Sequence, residues 1–351
     1  MRSPLNKRLF RELRGEFGKY LVIFILMTLT IGMVSGFLVA DGSMIQAYEE
    51  SFEKYNIENG HFRTEKKMNN AQIQDIEDLG IKLYENYYVE EALTNGSTMR
   101  IFKNRDEVNK VCLMKGKMPE KPGEIGIDRM YADNNDLSVG DEIESGGHTW
   151  KITGLVALSD YSALFSDNND SMFDSVKFGV SVVCPEEFDS YKADQLNYSY
   201  AWKYNTEPKN EKAEKDISED LMEDVAKEVT LEEFVPRYTN QAIIFTGDDM
   251  GGDRSMMIVL LYIIIVIMAF VFAITTSNTI RKEANVIGTL RASGYTRGEL
   301  IRHYMAAPVF VTFIGAIIGN VIGYTVGKDY CAGLYYGSYS LPTYVTIWNA
   351  E

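Results

Sequence analysis

Cysteine and histidine are scarce in this sequence, with three of each in 351 residues. That scarcity excludes a disulfide-stapled scaffold and leaves no clustered ligand set for a zinc module. Also missing is any Gly-x-x-x-x-Gly-Lys-Ser/Thr, so the chain does not by itself cradle ATP in the P-loop manner. No Gly-x-Ser-x-Gly and no pair of histidines at helical spacing occurs, and His61 and His148 stand alone. No catalytic residue, cofactor-binding residue or metal ligand is therefore assigned. Positive charge is in short supply as well. A net charge of −15 argues against nucleic acid as a partner, because phosphate binding needs a basic footprint.

The charge that is present is unevenly placed: +4 over residues 1–40, −21 over 41–255 and +2 over 256–351. Three stretches carry no charge at all, Tyr20 to Val39, Met256 to Thr279 and Ala306 to Val326. At about 1.5 Å per residue in a helix, the first reaches about 30 Å, the thickness of bilayer hydrocarbon. A signal peptide would want a shorter apolar region and a small-x-small cleavage site. This run is long and ends Leu38-Val39-Ala40-Asp41. The sequence thus predicts a membrane protein with three α-helical spans, at 20–40, 256–279 and 306–327.

Lysine and arginine set the expected orientation. Arg2, Lys7, Arg8, Arg11, Arg14 and Lys19 precede the first span, and Arg281, Lys282, Arg291, Arg297 and Arg302 lie between the second and third. The positive-inside rule puts both groups in the cytoplasm and residues 41–255 outside. Residues 1–19, with Leu5, Leu9, Leu13 and Phe17 on one stripe, fit a cytoplasmic amphipathic helix in the membrane interface or one packed on a partner. Tyr335, Tyr336, Tyr339, Tyr344 and Trp348 suit the outer interface, which makes 328–351 an extracytoplasmic tail. It is expected to precede a fourth span beyond Glu351.

Residues 41–255 read as α+β with helical stalks. Strands are expected at Leu83 to Leu93, Thr98 to Phe102, Glu124 to Ile127, Thr149 to Leu158, Lys177 to Val183 and Tyr198 to Tyr204. Helices are expected from Asn70 to Leu79, Pro185 to Tyr191 and Ile217 to Val229, and hairpin turns at Asn95-Gly96 and Gly146-Gly147. Asp167, Asp170 and Asp174 offer oxygen ligands but lack the calcium-loop pattern, and read as a solvated loop. Cys112 and Cys184 are candidates for an extracytoplasmic disulfide, although the sequence does not pair them.

The basic segment 280–305 has its own pattern. Val286, Ile287 and Leu290 make one apolar side, Ser293-Gly294 stops that helix, and Thr296 caps the next. The result is a small knob between two membrane helices. This segment resembles the loop of FtsX-like or MacB-like (type VII) ABC transporter permeases, approximately Glu-Ile-Gly-x-x-Arg-Ala-x-Gly. Ile287, Gly288, Arg291, Ala292 and Gly294 match in order, Val286 replaces the glutamate, and Glu283 stands one turn earlier. Residues 116–119 (Gly-Lys-Met-Pro), 122–125 (Pro-Gly-Glu-Ile), 137–141 (Leu-Ser-Val-Gly-Asp) and 150–154 (Trp-Lys-Ile-Thr-Gly) resemble the MacB-like periplasmic core. Their glycines and proline read as turn formers, not as a binding site.

What the resemblance implies is a multi-pass cell-membrane permease subunit with a MacB-like domain between spans one and two. A separate ABC-type ATPase subunit would meet the coupling loop at Glu283, Ile287, Gly288, Leu290, Arg291, Ala292 and Gly294. ATP hydrolysis would then drive the extracytoplasmic domain by mechanotransmission, exporting or extracting lipid, lipoprotein, peptide or antimicrobial substrates. The resemblance also implies a homodimer, or a pseudo-dimer with a second permease half. The alternative is a non-transporting membrane receptor or activator that recruits an envelope protein, or a cationic peptide drawn to the acidic surface.

Overall fold

The computed structural model describes residues 14–145, 147–343 and 346. Leu5, Leu9, Leu13, Tyr344 and Trp348 lie outside the described residues. Contacts divide the chain into two units. One holds the described parts of Met1–Ser43, Gly251–Gly333 and Thr346–Glu351; the other holds those of Met44–Met250 and Leu334–Val345.

The second unit is α+β. After helix α1 (Phe17–Lys54), the chain forms β1 (Gly60–Thr64), α2 (Asn70–Glu77), β2 (Ile81–Glu85), β3 (Tyr88–Ala92), β4 (Thr98–Lys103) and β5 (Val111–Gly116). It continues through β6 (Glu124–Asp128), α3 (Arg129–Asn134), β7 (Glu142–Ser145), β8 (His148–Leu158) and β9 (Phe178–Val183). Then come α4 (Pro185–Phe188), β10 (Tyr198–Tyr204), α5 (Glu211–Glu228) and β11 (Leu231–Pro236). One antiparallel sheet has the order β11-β1-β10-β2, and a mixed sheet has the order β3-β4-β9-β6-β8-β5, with β7 also on β8.

The single strand expected from Leu83 to Leu93 is two strands. β2 pairs β10 in the first sheet, whereas β3 pairs β4 in the second, so the chain changes sheets at Asn86 and Tyr87. Periodicity did not show the break because inward-facing residues lie on both sides of it: Leu83, Asn86, Tyr87 and Val89 are all buried. β9 is buried along its whole length between β4 and β6, which explains why its sequence shows no polar–apolar alternation and only Ser181 interrupts its apolar residues. α2 is capped by Asn69, one residue before the expected start, in a reciprocal box with Gln72. The hairpins at Asn95-Gly96 and Gly147 form with positive φ at the glycines.

The glycines of the 116–119 and 150–154 motifs stand back to back. Gly116 pairs with Gly154 across β5 and β8, and a Cβ on Gly154 would lie 2.4 Å from the Lys117 carbonyl oxygen. The motif is a close backbone approach, as a structural reading of it requires. Cys112 and Cys184, which the sequence left unpaired as candidates, are both free.

In the first unit, three helices are long and apolar enough to cross a membrane: α1, α6 (Gln241–Lys282) and Arg297–Ser338. The third comprises α8 (Arg297–Ile322), a π-helical turn (Gly323–Gly327) and α9 (Lys328–Ser338), and follows the short α7 (Ala284–Ala292). α1 and α8 meet along two glycine rows. Tyr20 and Ile23 cluster with Ala307 and Val311, and further along Gly32 and Gly36 face Gly319, Gly323 and Gly327. Residue numbers rise together on both helices, so they run parallel. α1 and α6 run antiparallel at the N-terminal end of α1, where Lys19 Nζ donates to Thr279 Oγ1 at 2.6 Å.

A Cβ on Gly36 would lie 2.8 Å from the Gly327 carbonyl carbon and 3.1 Å from the Gly323 oxygen, contacts made by backbone that no rotamer change relieves. Gly36→Val is expected to destabilise this helix pair by about 1–3 kcal/mol, the usual range for overpacking. Thermal unfolding in detergent, with the exposed Gly18→Ala as control, checks it.

Candidate functional site

α6 ends at Lys282, and Glu283 stands at the N-cap of α7 without capping it through its side chain. Its Oε2 instead accepts the Tyr304 hydroxyl at 2.7 Å, tying the start of α7 to α8. α7 stops at Ser293; the Gly294 amide donates to the Arg291 carbonyl and the Tyr295 amide to that of Leu290, with Gly294 at φ +95. Thr296 and Glu299 then form a capping box that starts α8. The segment is therefore a helix-turn-helix pinned at both ends.

Of the residues singled out from sequence, Ile287 and Leu290 are half-buried. Gly288, Arg291, Ala292 and Gly294 are exposed, as is Val286 where the glutamate of the resembled pattern would stand. Arg291 donates to the Tyr295 carbonyl at 3.2 Å. The helix thus keeps one apolar edge half-buried and leaves a mixed, cationic face open. Sequence reading missed Tyr304 and the inner brace. Glu16 sits between Lys19 at 3.1 Å and Lys282 at 3.4 Å, so the start of α1 holds the end of α6. The basic count in both segments was the only sequence signal for that brace.

Within the α+β unit a second arrangement was invisible to sequence. Residues 334–343, the last residues of the third apolar helix and those after it, dock on α3 and its cap. Arg129 donates to the carbonyls of Tyr336 at 2.8 Å and Tyr339 at 2.7 Å, and its guanidinium lies over the Tyr336 ring. The Ser340 hydroxyl donates to Asp128, whose other oxygen caps α3, and the Tyr339 hydroxyl donates to Asp249 at 2.6 Å. Tyr335 and Tyr339, two of the aromatics assigned to the outer interface, are buried in protein. The reason is tertiary: Phe173 and Phe245 supply a packed aromatic wall for Tyr339.

The acidic loop is used locally. Asp167 accepts the Asn169 amide, Asp170 the Ser166 hydroxyl, and Asp174 the Val176 and Lys177 amides. Among the described residues no group of three or more His, Cys, Asp or Glu could hold a metal ion.

Burial pushes Asp128 up to about 6 against the opposing hydrogen bonds from Ser340 and the α3 amides and the charge of Arg129. The folded state therefore holds the proton where the unfolded chain has lost it, and stability falls as pH rises from about 4 to about 6. Asp128→Asn, which keeps the cap acceptor without the charge, is expected to flatten that slope and to raise the unfolding midpoint at neutral pH. Midpoints measured across the same pH range check it.

Comparison with known proteins bears on the helical segment. Residues 258–350 match the FtsX-like permease C-terminal family. No curated protein matches the chain. Two solved structures show weak likeness. One is the periplasmic region of MacB from Actinobacillus actinomycetemcomitans, at 11% identity and TM-score 0.28, over 48% of this chain and 85% of that one. The other is the extracellular domain of the noncanonic ABC-type transporter YknZ from Gram-positive bacteria, at 11% identity and TM-score 0.27, over 50% and 98%. Residues 258–350, which hold most of α6, the pinned helix-turn-helix and the third apolar helix, are thus similar to the C-terminal part of FtsX-like permeases.

Proposed function

We propose that this chain couples ATP hydrolysis by a separate ATPase subunit to movement of its α+β domain, acting by mechanotransmission. The observation that carries the reading is the open face of α7 on a connection pinned at Tyr304 and at the Thr296 box. A rigid projection between two membrane helices passes a push to both, where a loose loop would absorb it.

The helix directions support the topology. Antiparallel α1 and α6, and parallel α1 and α8, bring residues 14–19 and the α7 connection to one face of the membrane, the basic and hence cytoplasmic one. The α+β domain is then extracytoplasmic. No charged side chain interrupts the spans, which disfavours a polar pathway through them and fits extraction of lipid, lipoprotein, peptide or antimicrobial substrates from the outer side. The coupling residues are Gly288, Arg291 and Ala292 on the open face, with Ile287 and Leu290 supporting it and Glu283 and Gly294 fixing its ends. A second copy, or a second permease half, completes the assembly. The −21 carried by residues 41–255 favours one further reading, a receptor for a basic envelope protein or cationic peptide.

Reconstitution with candidate ABC-type ATPase subunits, taking one whose hydrolysis the wild-type chain stimulates, tests the proposal. Arg291→Glu or Gly288→Trp is expected to lower permease-stimulated ATP hydrolysis at least about tenfold, roughly 1.4 kcal/mol of coupling, with the complex still assembled. Stimulation equal to wild type in both variants removes α7 from the mechanism.

A further inference from the structure

One face of α6 changes character along its length. Val259, Ile263, Val266 and Phe270 recur on it and each is more than half exposed, so this part of the face is a bulky apolar ridge. The same face continues through Ala273 and Ser277 to Arg281, and the short side chains leave a groove of about 550 Å³ that Met305 of α8 borders. Phe272 and Ile280 complete its apolar wall, and Thr276 adds a second hydroxyl. The step from Phe272 to Arg281 is about 14 Å along a helix, close to half of the roughly 30 Å of bilayer hydrocarbon. The groove is therefore as deep as one leaflet and ends where the span does.

Arg281 stands apart from the other cations at this end of the helices. Lys282, the next residue, pairs with Glu16 at 3.4 Å, and Lys19 pairs with the same carboxylate at 3.1 Å. Arg281 is exposed and pairs with no carboxylate among the described residues. A guanidinium left open at the end of an apolar groove offers parallel donors that match a phosphate group. Ser277 stands one turn before it on the same face, at the depth where the ester carbonyls of a lipid lie below its phosphate. A helix from a second copy would have to follow this face from ridge into hollow, whereas an acyl chain needs only the hollow.

We propose that this groove holds one anionic phospholipid, with its phosphate on Arg281, its esters at Ser277 and Thr276, and an acyl chain along Phe272, Ala273 and Met305. Retained there, the lipid fastens the end of α6, beside the α7 connection, to one leaflet. The proposal needs only that α6 and α8 cross a membrane and does not depend on the coupling reading.

The full chain, delipidated in detergent, is titrated with phosphatidylglycerol, with phosphatidylcholine of the same acyl chains, and with glycerol 3-phosphate, and bound ligand is counted by native mass spectrometry. One retained phosphatidylglycerol per chain is expected, bound at least about fivefold more tightly than phosphatidylcholine, the factor that roughly 1 kcal/mol per cation at an anionic surface gives. Arg281→Gln should erase that preference while both lipids still bind weakly. Ala273→Trp, which fills the groove, should lower the binding of both, and Arg297→Gln, at the start of α8 and outside the groove, should change neither. All three positions are exposed, and thermal midpoints near wild type show that the variants fold; should Ala273→Trp not fold, Ser277→Leu takes its place. Equal affinity for the two lipids, a preference that survives in Arg281→Gln or falls equally in Arg297→Gln, or glycerol 3-phosphate bound as tightly as the lipid overturns the proposal. So does a dimer that Ala273→Trp dissociates without loss of lipid, which gives the groove to a second copy.

Discussion

Lipid gives helices no hydrophobic reason to associate, and that constraint governs the membrane part of this chain. Its spans carry no charged side chains to pair, so α1 and α8 are joined by backbone. Gly32 and Gly36 on one helix and Gly319, Gly323 and Gly327 on the other bring main chains so close that a Cβ would clash at Gly36, Gly319 and Gly323 and be tightly crowded at the other two. The π-helical turn Gly323–Gly327 falls at the tightest part of this seam, where the third helix shifts its hydrogen bonding to keep contact with Gly36. Parallel packing follows from the seam, and antiparallel α6 follows from the Glu16, Lys19, Lys282 and Thr279 brace.

In the α+β unit the same need, close approach without side chains between, is met at Gly116 and Gly154, where two motif segments touch through backbone. The aromatic core does the rest: Trp202, Phe234 and Phe62 form a mutual cluster in which Trp202 stacks on Phe234, and Tyr200 accepts the Met68 amide and the Tyr87 hydroxyl. The Tyr200 and Trp202 side chains thus lock β10 between β1 and β2. Residues 334–343 join this unit although they end and follow the last apolar helix in sequence, so the unit is built from distant parts of the chain. Arg129 makes that possible, because one planar guanidinium satisfies two carbonyls at a helix end where backbone acceptors lack partners.

The reach of sequence reading can be traced through particular residues. Uncharged runs, basic flanks, the Gly294 stop and the Thr296 cap were legible because each depends on neighbours within a few positions. So were the hairpins at Gly96 and Gly147. The sheet change at Asn86 and Tyr87 was not, because both halves of that segment turn apolar residues inward while pairing with different sheets. Nor were β1, β5 and β11 expected: β1 and β11 mix polar and apolar residues, and β5 is half-exposed throughout.

Sequence by itself therefore determined which segments avoid water, which side of each carries positive charge, and the helix-turn-helix pattern between α6 and α8. These are local properties of charge, hydropathy and turn chemistry. Only the tertiary structure decided that Glu283 answers to Tyr304 and that Tyr336 and Tyr339 are held by Arg129, with Tyr339 against Phe173. Each of those depends on contacts between residues far apart in the chain, whose meeting is set by how sheets and helices close on one another. No composition or spacing records that closure.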